Sequence, residues 1–137
     1  MIEVSPDVRR PDLPVSRSEL RRLVIEAVDA LGLSGRSVGL RVVSDMEMAA
    51  LNARFLGLPG PTNVLSFPAH DPDQPDYLGD IAIGAETVAR EAFLYGQDPA
   101  GHLARMLCHG ILHLAGLDHG PEMFDLTESA VDKIARS

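Results

Sequence analysis

The sequence has a single cysteine, Cys108, and fewer basic than acidic residues, twelve against twenty. One thiol cannot form a disulfide within the chain, which agrees with a reducing compartment. It also excludes a cysteine-built metal cluster, so any metal site must draw on His, Asp or Glu. No apolar stretch approaches membrane-spanning length. Met1-Ile2-Glu3-Val4-Ser5-Pro6 lacks the basic start and long apolar run of a signal peptide. A cytoplasmic protein with no membrane partner is therefore expected. The formal charge of -8 has the wrong sign for a protein that grips nucleic acid through an overall positive field, and no DNA partner is expected. A local site is still open. Arg9, Arg10, Arg17, Arg21 and Arg22 gather in the first quarter, where a solvated mixed-charge surface is the simpler reading, while Asp118, Glu122, Asp125, Glu128 and Asp132 load acid onto the last. No repeat or low-complexity segment divides the chain.

What is present is enough for one core: 137 residues with 45% hydrophobic content read as a single domain over 1–137. A strand near Ile2 to Val4 leads to a helix opened by Ser16 with Glu19 three residues on, a capping-box pattern. Leu20, Leu23, Val24, Ala27, Val28 and Leu31 then recur at helical spacing until Gly32. A second strand covers Val38 to Val43. Ser44 and Glu47 repeat the capping-box signal, and a helix follows through Met48, Leu51 and Phe55 to Gly57. Val64 to Phe67, ended by Pro68, and Asp80 to Ile83, ended by Gly84, read as short strands. Between them lies the acidic, proline-rich loop His70 to Asp76. Helices are expected over Glu86 to Tyr95, over Pro99 to about Ala115 with Asp98 as N-cap, and over Pro121 to Arg136. The order β-α-β-α-β-β-α-α-α predicts an α+β fold, a small four-stranded mixed sheet covered mainly on one face by about five helices.

The chemistry concentrates in His109-Gly110-Ile111-Leu112-His113-Leu114-Ala115-Gly116-Leu117-Asp118-His119. Two histidines four apart on a helix project from one face, one turn apart. Gly116 can take the left-handed conformation that closes a helix, so that the chain turns back and His119 approaches the same point. Three imidazoles leave one position open on a tetrahedral ion, as catalytic zinc sites do. The spacing equals that of the metzincin peptidases, H-E-x-x-H-x-x-G-x-x-H, but Gly110 stands where those enzymes carry the glutamate that serves as general base.

The run His109 to His119 resembles the signature of the YbeY-type bacterial rRNA-maturation endoribonucleases, H-G-x-L-H-L-x-G-x-D-H. Leu51-Asn52, then Pro61-Thr62-Asn63-Val64-Leu65-Ser66-Phe67-Pro68, then Leu78-Gly79-Asp80-Ile81 are similar to that family's segments in their usual order. The resemblance implies a metalloprotease-like (zincin-like) fold and a metal-dependent, single-strand-specific endoribonuclease. It further implies action on 16S rRNA 3'-end maturation and ribosome quality control, with single-stranded RNA and the small ribosomal subunit as partners. One Zn2+ per chain on His109, His113 and His119 is the implied cofactor; an all-imidazole site also accepts nickel or another divalent transition metal.

Two departures accompany it. The family stretch N-x-x-Y-R-G reads Asn52-Ala53-Arg54-Phe55-Leu56-Gly57 here, so leucine occupies the position of an arginine suited to hold phosphate. Arg54 and Arg105 are the candidates to replace it. Arg54 is about 200° round a helix from Leu56, and Arg105 lies one turn before His109. Leu56 also supports an alternative, a metal-binding ribosome-assembly factor with weak or no catalysis. The second departure is the short connection Gly120-Pro121-Glu122 after the third histidine. Asp118 and Asp80 are candidates to hydrogen-bond a ligand imidazole, each weighed against a structural turn role, and Ser66 is a candidate to line a substrate groove. Cys108 is expected to be buried and inert. His102, about 10 Å along the axis from His109, and His70 are expected to face solvent.

Overall fold

Strand β2 (Ser37–Val43) alternates its side chains between two unlike environments, and that alternation organises the fold. Val38, Leu40 and Val42 enter the main core, whereas Val43 enters a smaller cluster with Met48, Leu65 and Ala82. The computed structural model describes residues 1–8 and 12–136; Arg9 and Arg10 lie outside the described residues. The other elements, in chain order, are β1 (Ile2–Val4), α1 (Arg17–Ala30), α2 (Asp45–Leu56), β3 (Val64–Pro68), β4 (Tyr77–Gly84), α3 (Ala85–Leu94), α4 (Pro99–Leu114) and α5 (Pro121–Ala135). The strands form one mixed sheet in the order β1-β2-β4-β3. β1, β2 and β4 run parallel, and β3 is antiparallel to β4 along one edge.

Helices α1, α3, α4 and α5 bury apolar faces on the side of the sheet that carries Leu40, Val42, Ile81 and Ile83, making the core with Leu20, Val88, Leu103, Leu107, Ile111 and Ala130. Among the described residues, α2 is the helix that covers part of the other side, through Met48 and Leu51. The α+β architecture with helices mainly on one face is thus the expected one. Local signals explain the helix ends. Ser16 and Glu19 form the full capping box of α1. At α2, Ser44 accepts from the Glu47 amide but donates its hydroxyl to Asp7, so only half of the box forms. Gly57 closes α2 at φ 67°, a left-handed value that suits glycine. Arg21 and Arg22 are exposed on α1.

One boundary differs from the sequence reading by more than a single residue. β4 begins at Tyr77, not Asp80, because Ser37 and Val38 of β2 pair with Tyr77 and Gly79 across a local register shift. Ladder pairing with a strand some forty residues away is invisible to local propensity.

Candidate metal centre

Helix α4 carries the first two histidines and is capped at both ends by its own sequence. Asp98 accepts from the Gly101 amide at 2.9 Å, with Pro99 in the first turn. At the other end Gly116 adopts φ 97°. Its amide donates to His113 O at 3.0 Å, and the Leu117 amide donates to Leu112 O at 3.0 Å. This closure turns Leu117-Asp118-His119 back along the helix. The third imidazole thereby joins the pair: ring centroids are 4.8 Å apart for His109–His113, 4.9 Å for His109–His119 and 4.6 Å for His113–His119.

One ligand nitrogen from each ring lies within 4.8 Å of the others. Imidazoles bound to one tetrahedral zinc at 2.0–2.1 Å place their nitrogens about 3.3 Å apart, so small side-chain rotations close this set onto an ion. The donor chemistry fits as well. Burial, then the charges that His113 and His119 would carry, lower the His109 pKa from 6.5 to about 4. At neutral pH that ring is uncharged and offers a lone pair. His109 and His113 are half-buried and His119 is exposed, so the cluster opens to solvent on one side.

Two contacts hold α4 against the sheet beside this cluster. A β-carbon on Gly110 would stand 3.1 Å and 3.2 Å from Ile81 Cγ2 and Cδ1, and 3.2 Å from Val64 Cγ2. The position read as a missing glutamate is therefore a point of close helix–sheet approach, facing the core and not the imidazoles. Ser66 Oγ on β3 donates to Gly110 O at 3.0 Å, which ties the edge strand to the peptide just after His109.

The other sequence candidates lie elsewhere or are engaged. Asp80 sits on the opposite face of the sheet from α4, where its carboxylate accepts from the Tyr77 hydroxyl. Strand alternation explains this, since Ile81 and Ile83 point into the main core and Asp80 and Ala82 point away. Burial, and then the bond to Asp80 with its charge, raise the Tyr77 phenol to about 12. Asp118 is exposed in the turn before His119. Arg105 donates to Glu128 of α5 at 2.8 and 3.3 Å and to Gln97. Arg54 lies over the Phe55 ring, its Cζ 5.3 Å from the centroid. Leu56 is 57% exposed at the end of α2. The structure thus gathers the three histidines, ties Ser66 to the Gly110 carbonyl next to His109, and leaves Asp80, Arg54 and Arg105 in other contacts.

Cys108 is buried as expected, and burial pushes its thiol up to about 12. His70 is exposed, but His102 corrects the expectation: it is 4% exposed, with Nε2 2.9 Å from Glu91 Oε1. Glu91 also accepts from Asn63 Nδ2 at 3.2 Å to each oxygen. This partly buried link between α3, α4 and the residue before β3 has no local sequence signal, because its members are eleven and twenty-eight positions apart.

Comparison with known proteins shows the family. The sequence model described as "Endoribonuclease YbeY" matches residues 8–135. The chain is similar to endoribonuclease YbeY of Oleidesulfovibrio alaskensis, 44% identical over 85% of this chain and 81% of that protein. It is also similar to endoribonuclease YbeY of Nitratidesulfovibrio vulgaris, 38% identical over 86% of this chain and 84% of that one. A solution structure of a protein from Thermotoga maritima superposes with a TM-score of 0.62 at 26% identity, covering 98% of this chain and 89% of its own.

Proposed function

Because this chain belongs to the YbeY endoribonuclease family, we propose that it cleaves single-stranded RNA in maturation of the 16S rRNA 3' end and in ribosome quality control. It does so in the cytoplasm, at the small ribosomal subunit, as one hydrolase domain. The observation that carries this reading is the convergence of His109, His113 and His119 from a helix and the turn that follows it.

These three residues would hold one divalent ion, zinc being the ion that three neutral imidazoles and one open position suit. When bound, such an ion supplies Lewis-acid polarisation of the phosphodiester and acidifies water near neutrality. The chain's own residues do the rest. His109 stays uncharged at neutral pH because its ring is partly desolvated beside two others. The exposed side of the cluster, at His119, is where a single strand can approach. Gly110 faces Ile81 and Val64, so the glutamate base of the metalloproteases has no place beside this site.

A second reading, a metal-binding ribosome-assembly factor with weak or no turnover, is favoured by one observation. Leucine stands at position 56, while Arg105 is paired with Glu128 and Arg54 rests on Phe55. One experiment separates the two. A single-stranded RNA carrying the 16S rRNA 3' end is incubated with zinc-loaded native, His113→Ala and Leu56→Arg proteins. Cleavage by the native chain that is abolished in His113→Ala supports the nuclease. No cleavage by the native chain, with activity gained in Leu56→Arg, supports the assembly factor.

A further inference from the structure

The ligand face of α4 does not point at the sheet. Successive side chains on a helix are about 100° apart. Relative to Gly110, which faces Ile81 and Val64, His109 is therefore displaced by about 100° and His113 by about 60° to the same side. The imidazoles sit beside the line of helix–sheet contact, so their position depends on how α4 is rolled about its axis. A roll of about 20° carries a ring nitrogen, roughly 7 Å from the axis, through about 2 Å, whereas metal–ligand distances tolerate about 0.2 Å. Something must fix that roll.

Apolar packing of Leu107 and Ile111 in the core restricts the roll, but Gly110 itself has no side chain to lock between Ile81 and Val64. The Ser66 hydroxyl supplies the directional contact. It donates at 3.0 Å to the carbonyl of Gly110, the residue that follows His109 and lies within the turn that spaces His109 from His113. Ser66 stands on edge strand β3, held in register by pairing with Ile81 of β4. A half-buried hydroxyl aimed at a carbonyl already inside a helix is not needed to satisfy that carbonyl. Its consequence is geometric: it sets the azimuth of the ligand turn against the strand.

We propose that Ser66 is a positioning residue for the histidine site, acting through Gly110 to hold His109 and His113 at the roll angle that lets them meet His119 on one ion. The inference rests on the reading of the triad as a metal site, and it assigns Ser66 no contact with substrate. Ser66→Ala removes the hydroxyl and leaves the strand's apolar packing in place, while Ser66→Thr keeps the hydroxyl.

The test is zinc affinity of the full chain, measured by competition with a chromophoric chelator, together with the visible spectrum of the cobalt-loaded protein. Ser66→Ala should bind zinc about tenfold more weakly, the lower end of what is seen when outer partners of metal ligands are removed. It should also show altered cobalt bands, and Ser66→Thr should restore both. Leu65→Ala serves as the control for general destabilisation. Leu65 is buried on the other face of the same strand, and that variant should melt earlier yet keep native affinity and the native cobalt spectrum. The proposal is overturned if Ser66→Ala matches the native protein in both readouts, or if Leu65→Ala shifts them as much. If the native chain binds neither zinc nor cobalt, the triad reading itself fails, an outcome distinct from either.

Discussion

Gly110 of α4 approaches Ile81 of β4 so closely that a β-carbon at position 110 would sit 3.1 Å from Ile81 Cγ2. The residue that most distinguishes this histidine motif from that of the metalloproteases is thus set by packing. Placing a glutamate there would drive a carboxylate into the core and push α4 off the sheet. Gly110→Glu should lose about 3 kcal/mol of stability or more and gain no peptidase activity. Urea denaturation and a casein assay check both halves, and a stable variant that cleaves casein contradicts this account.

Smaller strain is expected from Gly110→Ala. The methyl group needs Ile81 and Val64 to give by a few tenths of an ångström, an overpacking cost of about 1–3 kcal/mol, while alanine regains up to about 1 kcal/mol of helix propensity. A net loss of about 1 kcal/mol should appear as a lower denaturation midpoint with an unchanged urea dependence.

Glu91 bridges the His102 ring and the Asn63 amide in a partly buried setting. Glu91→Ala strands both partners, and leaving buried polar groups unmatched costs about 1–3 kcal/mol. The loss should be read from equilibrium unfolding and should exceed that of Arg90→Ala, whose ion pair with Asp45 is exposed.

The depressed His109 pKa has a defined pH signature in metal-free protein. Its value falls from 6.5 to about 4 on folding, so between those limits the unfolded chain binds a proton that the native chain refuses. Stability is then highest above pH 6.5 and declines as pH falls toward 4. The ring is half-exposed, and solvent screening reduces the effect to about 1 kcal/mol. Melting temperatures of native and His109→Gln proteins should draw apart across that range as pH falls, the native protein losing more, and parallel curves would contradict the assignment.

Cys108 is fully buried with a thiol raised to about 12 by that burial. A thiol-specific reagent at pH 8 should label the native protein at least about 100-fold more slowly than the urea-unfolded chain. Rapid labelling would mean that α4 opens readily.

Much of this structure was legible in the sequence because its signals are local. Ser16 with Glu19, Asp98 with Pro99, and the glycines at 57 and 116 act within one turn of chain, and the helix ends lie where they indicate. The triad was legible for the same reason, as a helical repeat followed by a glycine that reverses the chain. What local pattern could not show depends on distant partners. Tyr77 joins β4 by pairing with Ser37, His102 is buried by Glu91 of the preceding helix, and Arg105 is held by Glu128 on α5. Asp80 is a different case. Its alternation with Ile81 and Ile83 already placed it on the face away from the core, so period-two reading would have separated it from the histidines.

The most direct test of the central claim, that the three histidines hold the ion on which RNA cleavage depends, is a metal titration of the chelator-stripped protein against the 16S 3'-end RNA. Cleavage should be absent in the stripped protein, return in proportion to added zinc and level off at one equivalent per chain, and it should stay absent in His113→Ala at any zinc concentration. Full cleavage by stripped protein, or by His113→Ala, would contradict it.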